Sequence, residues 1–205
     1  MDFFDRLAKD FDLEPLRVEL ASKVGDSMIQ VLSPATERQI MDYGAGTGLL
    51  TFKIQPYAAS ITAVDTSPNM LEVLREKIAQ NRVPNIQTLL WNVETDPLLS
   101  YSFDAIIGSM VMHHIGDTQN ALNRFHAMIV DGGRILLADL DPEEGDFHPP
   151  DIIPHHQGFD RDVFGNCLAR AGFVDIQFST AYVIQKPTAA GIVKEYPVFL
   201  AVAQK

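Results

Sequence analysis

The residues best suited to chemistry in this sequence are a run of glycines and an acidic residue that follows it. The stretch GAGTG at 44–48 follows an apolar run at 39–43 and precedes a helical pattern. Glycines between a strand and a helix let backbone N–H groups approach a bound ligand closely. Asp65 ends the next apolar run, where a carboxylate can accept hydrogen bonds from both hydroxyls of a ribose. This combination predicts a nucleoside-cofactor site, and a tight turn without a ligand is the alternative.

The spacing of the glycines separates two nucleoside cofactors. A dinucleotide site needs G-x-G-x-x-G, whose third glycine permits close packing of helix and strand. Here the pattern is G-x-G-x-G, and Leu49 occupies the place of that third glycine. Asp42 would put a negative charge beside a pyrophosphate, whereas the amino and sulfonium groups of S-adenosylmethionine are compatible with it. We therefore expect S-adenosyl-L-methionine as the cofactor, and an NAD-dependent oxidoreductase is the first alternative.

The elements that must position this site are short apolar runs alternating with helical patterns, which predict a doubly wound α/β fold with a mostly parallel sheet. Because no repeat or low-complexity linker divides the chain, we expect a single domain over 1–205, with 1–33 as an N-terminal helical cap. The predicted helices of this cap are 3–12 and 15–33. The predicted strands are 39–43, 60–64, 86–91, 103–108 and 134–140, followed by an edge strand at 174–184 and a central strand at 198–203.

Residues that cap or interrupt helices predict the helix boundaries. Ser67, which precedes a proline, is typical of a helix start. Asp117 is expected to cap a helix that the glycines at 132–133 end. Asp160 is expected to start a further helix. The predicted buried face of that helix is made of Val163, Phe164, Cys167, Leu168 and Ala171.

Six stretches occur in an order that resembles the class I S-adenosylmethionine-dependent methyltransferases, in particular small bacterial and fungal members that act on small molecules. They are MDYGAGTGLLT, ITAVDTSPNML, FDAIIGSMVMHHI, LNRFHAMIVDGGRILLADLD, GFDRDVFGNCLARAGF and PVFLAVA. The resemblance covers nearly the whole chain. It implies a Rossmann-like methyltransferase fold with a seven-stranded sheet, whose last strand, at about 198–203, lies antiparallel to its neighbour.

The same resemblance implies which residues hold the cofactor. The segment from Asp42 to Gly46 resembles the one that holds the methionine moiety, and Asp65 matches the ribose-binding acid. Asn92 stands where relatives often have an acidic residue that meets the adenine amino group, and its amide oxygen can also accept that hydrogen bond. The predicted cofactor-binding residues are Asp42, Gly44, Ala45, Gly46, Asp65, Thr66, Met70, Asn92, Val93 and Ser109.

The charge balance indicates the class of partner. Against 16 lysines and arginines stand 27 aspartates and glutamates, which gives a formal net charge of −11. Because nucleic-acid binding depends on basic side chains and no basic cluster offsets this acidity, we expect a small-molecule methyl acceptor and no nucleic acid. No apolar run approaches the roughly 20 residues of a membrane span. The single cysteine, Cys167, and the charged amino terminus favour a cytoplasmic location.

The sequence does not identify a catalytic residue. His114, after the fourth strand, and His156, near the end of a proline-bearing loop at 141–158, are weak candidates for an acid or a base. Neither has a carboxylate at a spacing that would fix its tautomer. The loop is expected to lie over the acceptor side of the pocket. Its histidines and acids match no recognised metal pattern, so no metal site is predicted.

The amino-terminal aromatic residues allow two interpretations. Phe3, Phe4 and Phe11 recur at helical spacing, so they either cover the cofactor or simply pack against the body of the protein. A second functional alternative also stays open, a member of the fold that binds the cofactor without transferring a methyl group. The sequence indicates neither the oligomeric state nor the atom that is methylated.

Overall fold

The strands form one twisted layer, which holds the glycine turn at its carboxyl edge. The computed structural model describes residues 3–32, 38–149, 151–187 and 191–205. Within those ranges the strands lie in the order β3-β2-β1-β4-β5-β7-β6. They are β1 (Gln39–Tyr43), β2 (Ser60–Asp65), β3 (Ile86–Leu90), β4 (Phe103–Ser109), β5 (Ile129–Leu140), β6 (Val174–Pro187) and β7 (Val193–Gln204).

The order of the strands reverses at β1, which pairs in parallel with β2 on one side and with β4 on the other. Open α/β sheets bind ligands at such a reversal, beside the carboxyl ends of the strands. At the far side of the sheet, β7 lies between β5 and β6 and is antiparallel to both. The described part of the chain therefore has the seven-stranded, mostly parallel sheet that the sequence predicts, with the last strand antiparallel, and this prediction is confirmed.

Helices cover both faces of the sheet. None of the described helices has the length and apolar composition needed to cross a bilayer. They are α1 (Phe3–Leu7), α2 (Pro15–Leu32), α3 (Leu49–Ile54), α4 (Pro68–Asn81), α5 (Thr118–Met128) and α6 (Arg161–Arg170), with 3₁₀ turns at Ala8–Leu13, Gln55–Tyr57 and Met112–His114.

The predicted helix starts are confirmed. The side chains of Ser67, Asp117 and Asp160 each accept a hydrogen bond from a backbone N–H in the first turn of α4, α5 and α6. These N–H groups have no partner within the helix itself, so a side-chain oxygen that accepts from them stabilises the helix, typically by about 1 kcal/mol. Ser67 thereby fixes the start of α4 directly after β2, beside the glycine turn.

The predicted end of α5 is wrong. The helix ends at Met128 and β5 begins at Ile129, so the glycines at 132–133 lie inside the strand. The pairing of β5 with β4 is irregular there. A Cβ atom on Gly133 would lie 2.8 Å from the carbonyl oxygen of Asp104, so this glycine lets the β5 backbone pass close to β4. The two glycines serve an irregular strand pairing rather than a helix end.

The predicted buried face of α6 is too wide, and the predicted first helix is too long. Phe164 and Leu168 are buried, and Cys167 and Ala171 pack half-buried against the same cluster, but Val163 is 60% exposed. At the amino terminus, α1 gives way to the 3₁₀ turn Ala8–Leu13 instead of continuing as one helix.

Buried apolar side chains pack in one cluster on each face of the sheet. Along β1, Ile40 packs in the cluster under α2, α3 and α4, whereas Met41 packs in the cluster under α5 and α6. Consecutive residues of β4, Ile106 and Ile107, divide in the same way because successive side chains of a strand point to opposite faces. Full burial of such a side chain contributes about 1.5–3 kcal/mol. The two layers hold the carboxyl ends of β1, β2, β4 and β5 in a fixed arrangement.

Candidate active site

The glycine turn after β1 folds back on β2. The backbone N–H groups of Gly44 and Ala45 both donate to the carbonyl of Val64, at 2.8 and 2.9 Å. A Cβ atom on Gly44 would lie 2.4 Å from the Val111 side chain, so no larger residue fits there. Gly46 has a φ of +55° and faces open space, because the nearest atom to an added Cβ would be 4.0 Å away. The turn therefore leaves a backbone-lined recess at the carboxyl end of β1.

Asp42 lies buried directly beneath this turn. Its side chain is 1% exposed, and its Oδ2 accepts a hydrogen bond of 2.6 Å from the hydroxyl of Thr51 on α3. Burial raises the pKa of Asp42 to about 7; the Thr51 hydrogen bond opposes that shift, and the carboxylate of Asp65 adds to it. A carboxylate with so raised a pKa is stabilised by a positively charged ligand.

Asp65 ends β2 on the other side of the turn. Its Oδ2 accepts from the N–H of Gly46 at 2.8 Å, and its Oδ1 accepts from the N–H of Ser67 at 2.8 Å. Burial raises the pKa of Asp65, although these backbone hydrogen bonds act against the increase. The carboxylate thus joins the glycine turn to the start of α4, in the position that the sequence predicts for a ribose-binding acid.

A cavity of about 670 Å³ opens at the glycine turn. Asp42 and the turn form its floor, and α1, α2, the end of β6 and the segment after β5 form its walls. Arg17, Gln185 and Lys186 are among its polar residues. The apolar side chains that line it include Phe3, Phe4, Phe11, Leu16, Leu20, Phe147, Ile152 and Ile184.

The amino-terminal segment is attached to the glycine turn and to α4. Asp5 accepts a hydrogen bond of 2.6 Å from the Ser67 hydroxyl. Asp12 accepts one of 2.5 Å from the Thr47 hydroxyl, and it forms an ion pair of 2.7 Å with Lys77 of α4. These polar contacts hold the segment against the glycine turn and α4. The aromatic residues that the sequence leaves as either a cover or plain packing, Phe3, Phe4 and Phe11, all line the cavity.

The segment after β5 forms the opposite wall. The carboxylate of Glu143 accepts hydrogen bonds from the backbone N–H groups of residues 145–147. The guanidinium of Arg161 donates to both oxygens of Asp141, each at 2.7 Å. Phe147 and His148 project from this ordered turn to line the cavity. Of the loop at 141–158, which the sequence predicts over the acceptor side, Phe147, His148, Pro149 and Ile152 line the cavity.

A buried carboxylate and a histidine occupy the carboxyl end of β5. Asp139 and His113 are 0% and 1% exposed, and the Nδ1 of His113 lies 2.6 Å from Oδ1 of Asp139. Asp139 also accepts from the backbone N–H groups of Met112, His113 and Leu140. Burial raises the pKa of Asp139, but the His113 imidazole and these hydrogen bonds outweigh burial, so the pKa lies below its ordinary value.

The structure brings only part of the predicted cofactor set to the cavity wall. Met70 is the residue nearest to the open side of Gly46, and the backbone of Thr66 donates to Asp65. The side chain of Asn92 accepts from the N–H of Glu94 at 2.8 Å. Asp65, Thr66, Met70, Asn92 and Val93 are not among the described residues that line the cavity. Those that do line it are Asp42, Gly44, Ala45, Gly46 and Ser109.

The two weak catalytic candidates are in different places. His114 lines the cavity, and burial, together with the nearby His113 and His148, lowers its pKa to about 3. The Nε2 of His156 lies 2.9 Å from the carbonyl oxygen of Ile115, and the residue is not among the described residues of the cavity wall. Sequence reasoning missed the pair of His113 and Asp139. A charged residue inside the apolar run ILLADL at 135–140 is the signal that could have pointed to it.

Comparison with known proteins agrees with this geometry. A protein family described as "Methyltransferase domain" matches residues 41–135, which run from β1 into β5. An uncharacterized methyltransferase of Schizosaccharomyces pombe is 32% identical over 165 residues. These similarities support the resemblance to the class I S-adenosylmethionine-dependent methyltransferases that the sequence shows.

Two further similarities describe the breadth of this family. The aklanonic acid methyltransferase DauC of Streptomyces sp. (strain C5) is 27% identical over 156 residues, covering 74% of this chain and 70% of DauC. The alignment with the S. pombe relative covers 73% of this chain and 56% of that protein, so the chain spans little more than half the length of that relative. A crystal structure of a SAM-dependent methyltransferase from Aquifex aeolicus superposes with a TM-score of 0.72 over 100% of both chains at 17% identity, which shows the shared class I fold.

Proposed function

We propose that this class I protein transfers a methyl group from S-adenosylmethionine to a small-molecule acceptor. The main support for the proposal is one continuous cavity, which is lined by the glycine turn, by Asp42 and by apolar side chains. Its volume of about 670 Å³ lies within the range of roughly 300–1,000 Å³ typical of small-molecule sites. The cavity therefore has space for a small-molecule ligand beside the turn.

The residues at the turn fit the cofactor. Because Gly46 has no Cβ atom and faces open space, a ligand can approach its backbone closely. The carboxylate of Asp42 supplies negative charge for the cationic methionine end of the cofactor. Asp65 offers a carboxylate for the ribose hydroxyls, and Thr66, Met70, Asn92 and Val93 are proposed for the adenine side. When bound, S-adenosylmethionine supplies a methyl group activated by its sulfonium. The absence of a third glycine at Leu49 argues against a dinucleotide.

The contribution of the protein is to hold two ligands in line. Asp42 is fixed by β1 and Thr51, and the opposite wall is fixed by the ion pair of Arg161 with Asp141. Holding reactants at contact distance in the right orientation can lower a barrier by several kcal/mol without an acid or a base. The apolar walls exclude water from the space between the ligands. We therefore propose positioning as the main source of acceleration.

The lining of the cavity indicates the chemical class of the acceptor. Aromatic and aliphatic side chains from α1, α2 and the segment after β5 favour an acceptor with an apolar body, and Lys186, Arg17 and the cavity histidines offer polar contacts for its nucleophilic end. Two relatives whose names specify their role, an aklanonic acid methyltransferase and a ubiquinone/menaquinone biosynthesis C-methyltransferase, support a small-molecule acceptor. We propose that the protein binds neither nucleic acid nor a membrane. We also propose a cytoplasmic location.

Calorimetric titration with S-adenosylmethionine, S-adenosylhomocysteine and NAD tests the cofactor. We expect the first two to bind and Asp65→Asn to weaken them about tenfold or more, since a hydrogen bond to a charged group contributes about 1.5–3 kcal/mol. Asp104→Asn is the matched control, because Asp104 accepts a backbone N–H at the opposite end of the same sheet. Binding of NAD alone would contradict the proposal and favour an oxidoreductase.

Transfer itself is tested with a methyl-labelled cofactor. The purified chain is incubated with labelled S-adenosylmethionine and a panel of apolar phenols, enols, amines and thiols, and label in the organic phase is counted. We expect the wild type to label at least one member of the panel and Asp42→Asn not to label it. A protein that binds the cofactor but labels no member of a broad panel would favour the alternative of a cofactor-binding member without transferase activity.

A further inference from the structure

Three histidine rings converge at one point of the cavity wall. His113 and His114 lie in the 3₁₀ turn after β4, and His148 lies in the segment after β5. One ring nitrogen of each lies within 4.8 Å of the other two, and the Nε2 atoms of His113 and His148 are 3.0 Å apart. All three residues line the cavity. Three imidazole nitrogens therefore face one small volume.

The first of these rings is held in a fixed orientation. The Nδ1 of His113 is 2.6 Å from the buried carboxylate of Asp139, so its Nε2 faces His148. Asp139 also accepts the backbone N–H groups of Met112 and His113, which fixes the turn that carries the ring. A carboxylate that orients a histidine through its other ring nitrogen is the usual support of a metal-binding histidine.

The other two rings are suited to the same purpose. His114 and His148 are both half-buried, and partial burial favours the neutral imidazole, which can offer a lone pair. Neutral imidazole is the form that binds a metal ion. Four ligands at about 2.0–2.1 Å around zinc place their nitrogens roughly 3.3 Å apart. The 3.0 Å between the Nε2 atoms of His113 and His148 is close to that separation.

We propose that His113, His114 and His148 form a binding site for one divalent transition-metal ion, with zinc as the ion that three imidazoles suit best. Three protein ligands leave one coordination position, which faces the cavity. Insofar as the proposed methyl transfer holds, that position is where an acceptor oxygen would bind. The sequence predicts no metal because the ligands come from two segments 35 residues apart, without a recognised spacing.

The competing interpretation is a plain hydrogen bond between His113 and His148, with a proton rather than a metal ion between their Nε2 atoms. Metal titration of the full chain separates the two. The chelator-treated protein is titrated with Zn²⁺ by calorimetry and with Co²⁺ by visible absorption, in the absence of cofactor and acceptor. We expect one ion per chain with a dissociation constant in the micromolar range or tighter, and intense d–d bands from a nitrogen-ligated site of low coordination number.

The variants are chosen to keep the fold intact. His148→Ala changes a half-buried loop residue, so it leaves the pair of His113 and Asp139 in place. We expect it, and His114→Ala, to weaken Zn²⁺ binding more than about a hundredfold, beyond the 10–100-fold effect of losing a supporting residue. His126→Ala is the matched control. His126 is a half-buried histidine of α5 whose ring packs against Phe173, and the variant should bind Zn²⁺ like the wild type.

Two outcomes would overturn the metal site. One is a wild-type protein that binds Zn²⁺ and Co²⁺ no more tightly than His148→Ala. The other is an equal loss in His126→Ala, which would indicate scattered surface binding. Because the titration needs no cofactor, its failure leaves the proposed methyl transfer standing. Conversely, a protein that binds one Zn²⁺ through these histidines but shows no S-adenosylmethionine binding would retain the metal site and refute the proposed function.

Discussion

Asp42 at the end of β1 and Asp139 at the end of β5 are carboxylates buried in the same sheet, yet their pKa values shift in opposite directions. Both are at most 1% exposed. Burial raises the pKa of Asp42 to about 7, and a hydroxyl from Thr51 opposes it only in part. Burial also acts to raise the pKa of Asp139, but His113 and several backbone N–H groups lower it below the ordinary value.

The difference lies in what each carboxylate contacts within the protein. Asp139 accepts hydrogen bonds from two neighbouring segments, and its negative charge is stabilised in the structure itself. Asp42 lies on the floor of the cavity, where a positively charged ligand would stabilise its charge. The comparison indicates that the end of β5 orients other protein groups, whereas the end of β1 is arranged for a cation from outside.

The largest expected effect on stability comes from replacing Asp139 at the end of β5. Asp139→Asn keeps the shape but removes the charge and one acceptor oxygen, so N–H groups around it lose their partner. Removing one member of a buried, hydrogen-bonded pair typically costs about 3–5 kcal/mol in the free energy of unfolding. Urea denaturation at pH 7 measures this loss. Asp141→Asn is the control, because its partly exposed ion pair with Arg161 should contribute at most about 1 kcal/mol.

Replacing Asp42 at the end of β1 should change the free energy of unfolding in the opposite direction. The folded pKa of Asp42 lies above the unfolded value of 3.8, so its contribution to stability is fully present below pH 3.8 and is lost as the pH rises through about 7. Above pH 7 the buried charge costs on the order of 4 kcal/mol. Asp42→Asn should therefore stabilise the protein at pH 8 and much less at pH 5, while it weakens cofactor binding. Denaturation at both pH values checks this, and a destabilised variant at pH 8 would contradict the comparison.

Asp139 should show the reverse dependence on pH. Its folded pKa is lowered, so its contribution to stability is present above pH 3.8 and is lost as the pH falls through the lower folded value. Measuring the difference between wild type and Asp139→Asn from pH 7 down to pH 3 tests the sign. The difference should shrink only at the acidic end, and a difference that shrinks as the pH rises would contradict it.

The smallest expected effect concerns the amino-terminal segment. Asp12→Asn removes the ion pair with Lys77. Because the side chains of Asp12 and Lys77 are 32% and 23% exposed, the change should lower the free energy of unfolding by at most about 1 kcal/mol. If the segment covers the cavity, this loss should weaken ligand binding up to about fivefold and leave the melting temperature almost unchanged. Asp10→Asn, in the same turn but exposed, is the control. A melting temperature that falls while binding stays constant would assign the segment to packing alone.

The sequence predicts the sheet and the glycine turn well because their signals are local. Strand periodicity, the helix cap at Ser67 and the glycine spacing each lie within a few neighbouring residues, and the structure contains the elements that they predict. The acceptor side is different. The pair of Asp139 and His113 and the approach of His148 depend on residues that are distant along the chain and meet only in the folded sheet. Nothing in their spacing indicates that contact.

The end of α5 shows the same limit. Gly132 and Gly133 carry a strong local signal for a helix end, but the close approach of β4 to β5 requires a glycine at 133 for a tertiary reason. Local propensity and tertiary contact predict different structures there, and the tertiary contact determines the outcome. The width of the buried face of α6 is likewise set by the sheet beneath it, not by the helix itself.

The proton balance of cofactor binding tests the central claim most directly. If the cation of S-adenosylmethionine binds beside Asp42, binding releases the proton of that carboxyl, and the affinity should rise up to about tenfold per pH unit between pH 5.5 and 7. His114 and His148, with pKa values of about 3 and 4, do not titrate in this range. Calorimetry of wild type and Asp42→Asn in buffers of different ionisation enthalpy measures the released proton. We predict release of nearly one proton near pH 6 from the wild type only. An affinity independent of pH, or the same proton release from Asp42→Asn, would contradict the assignment of this turn as the cofactor site.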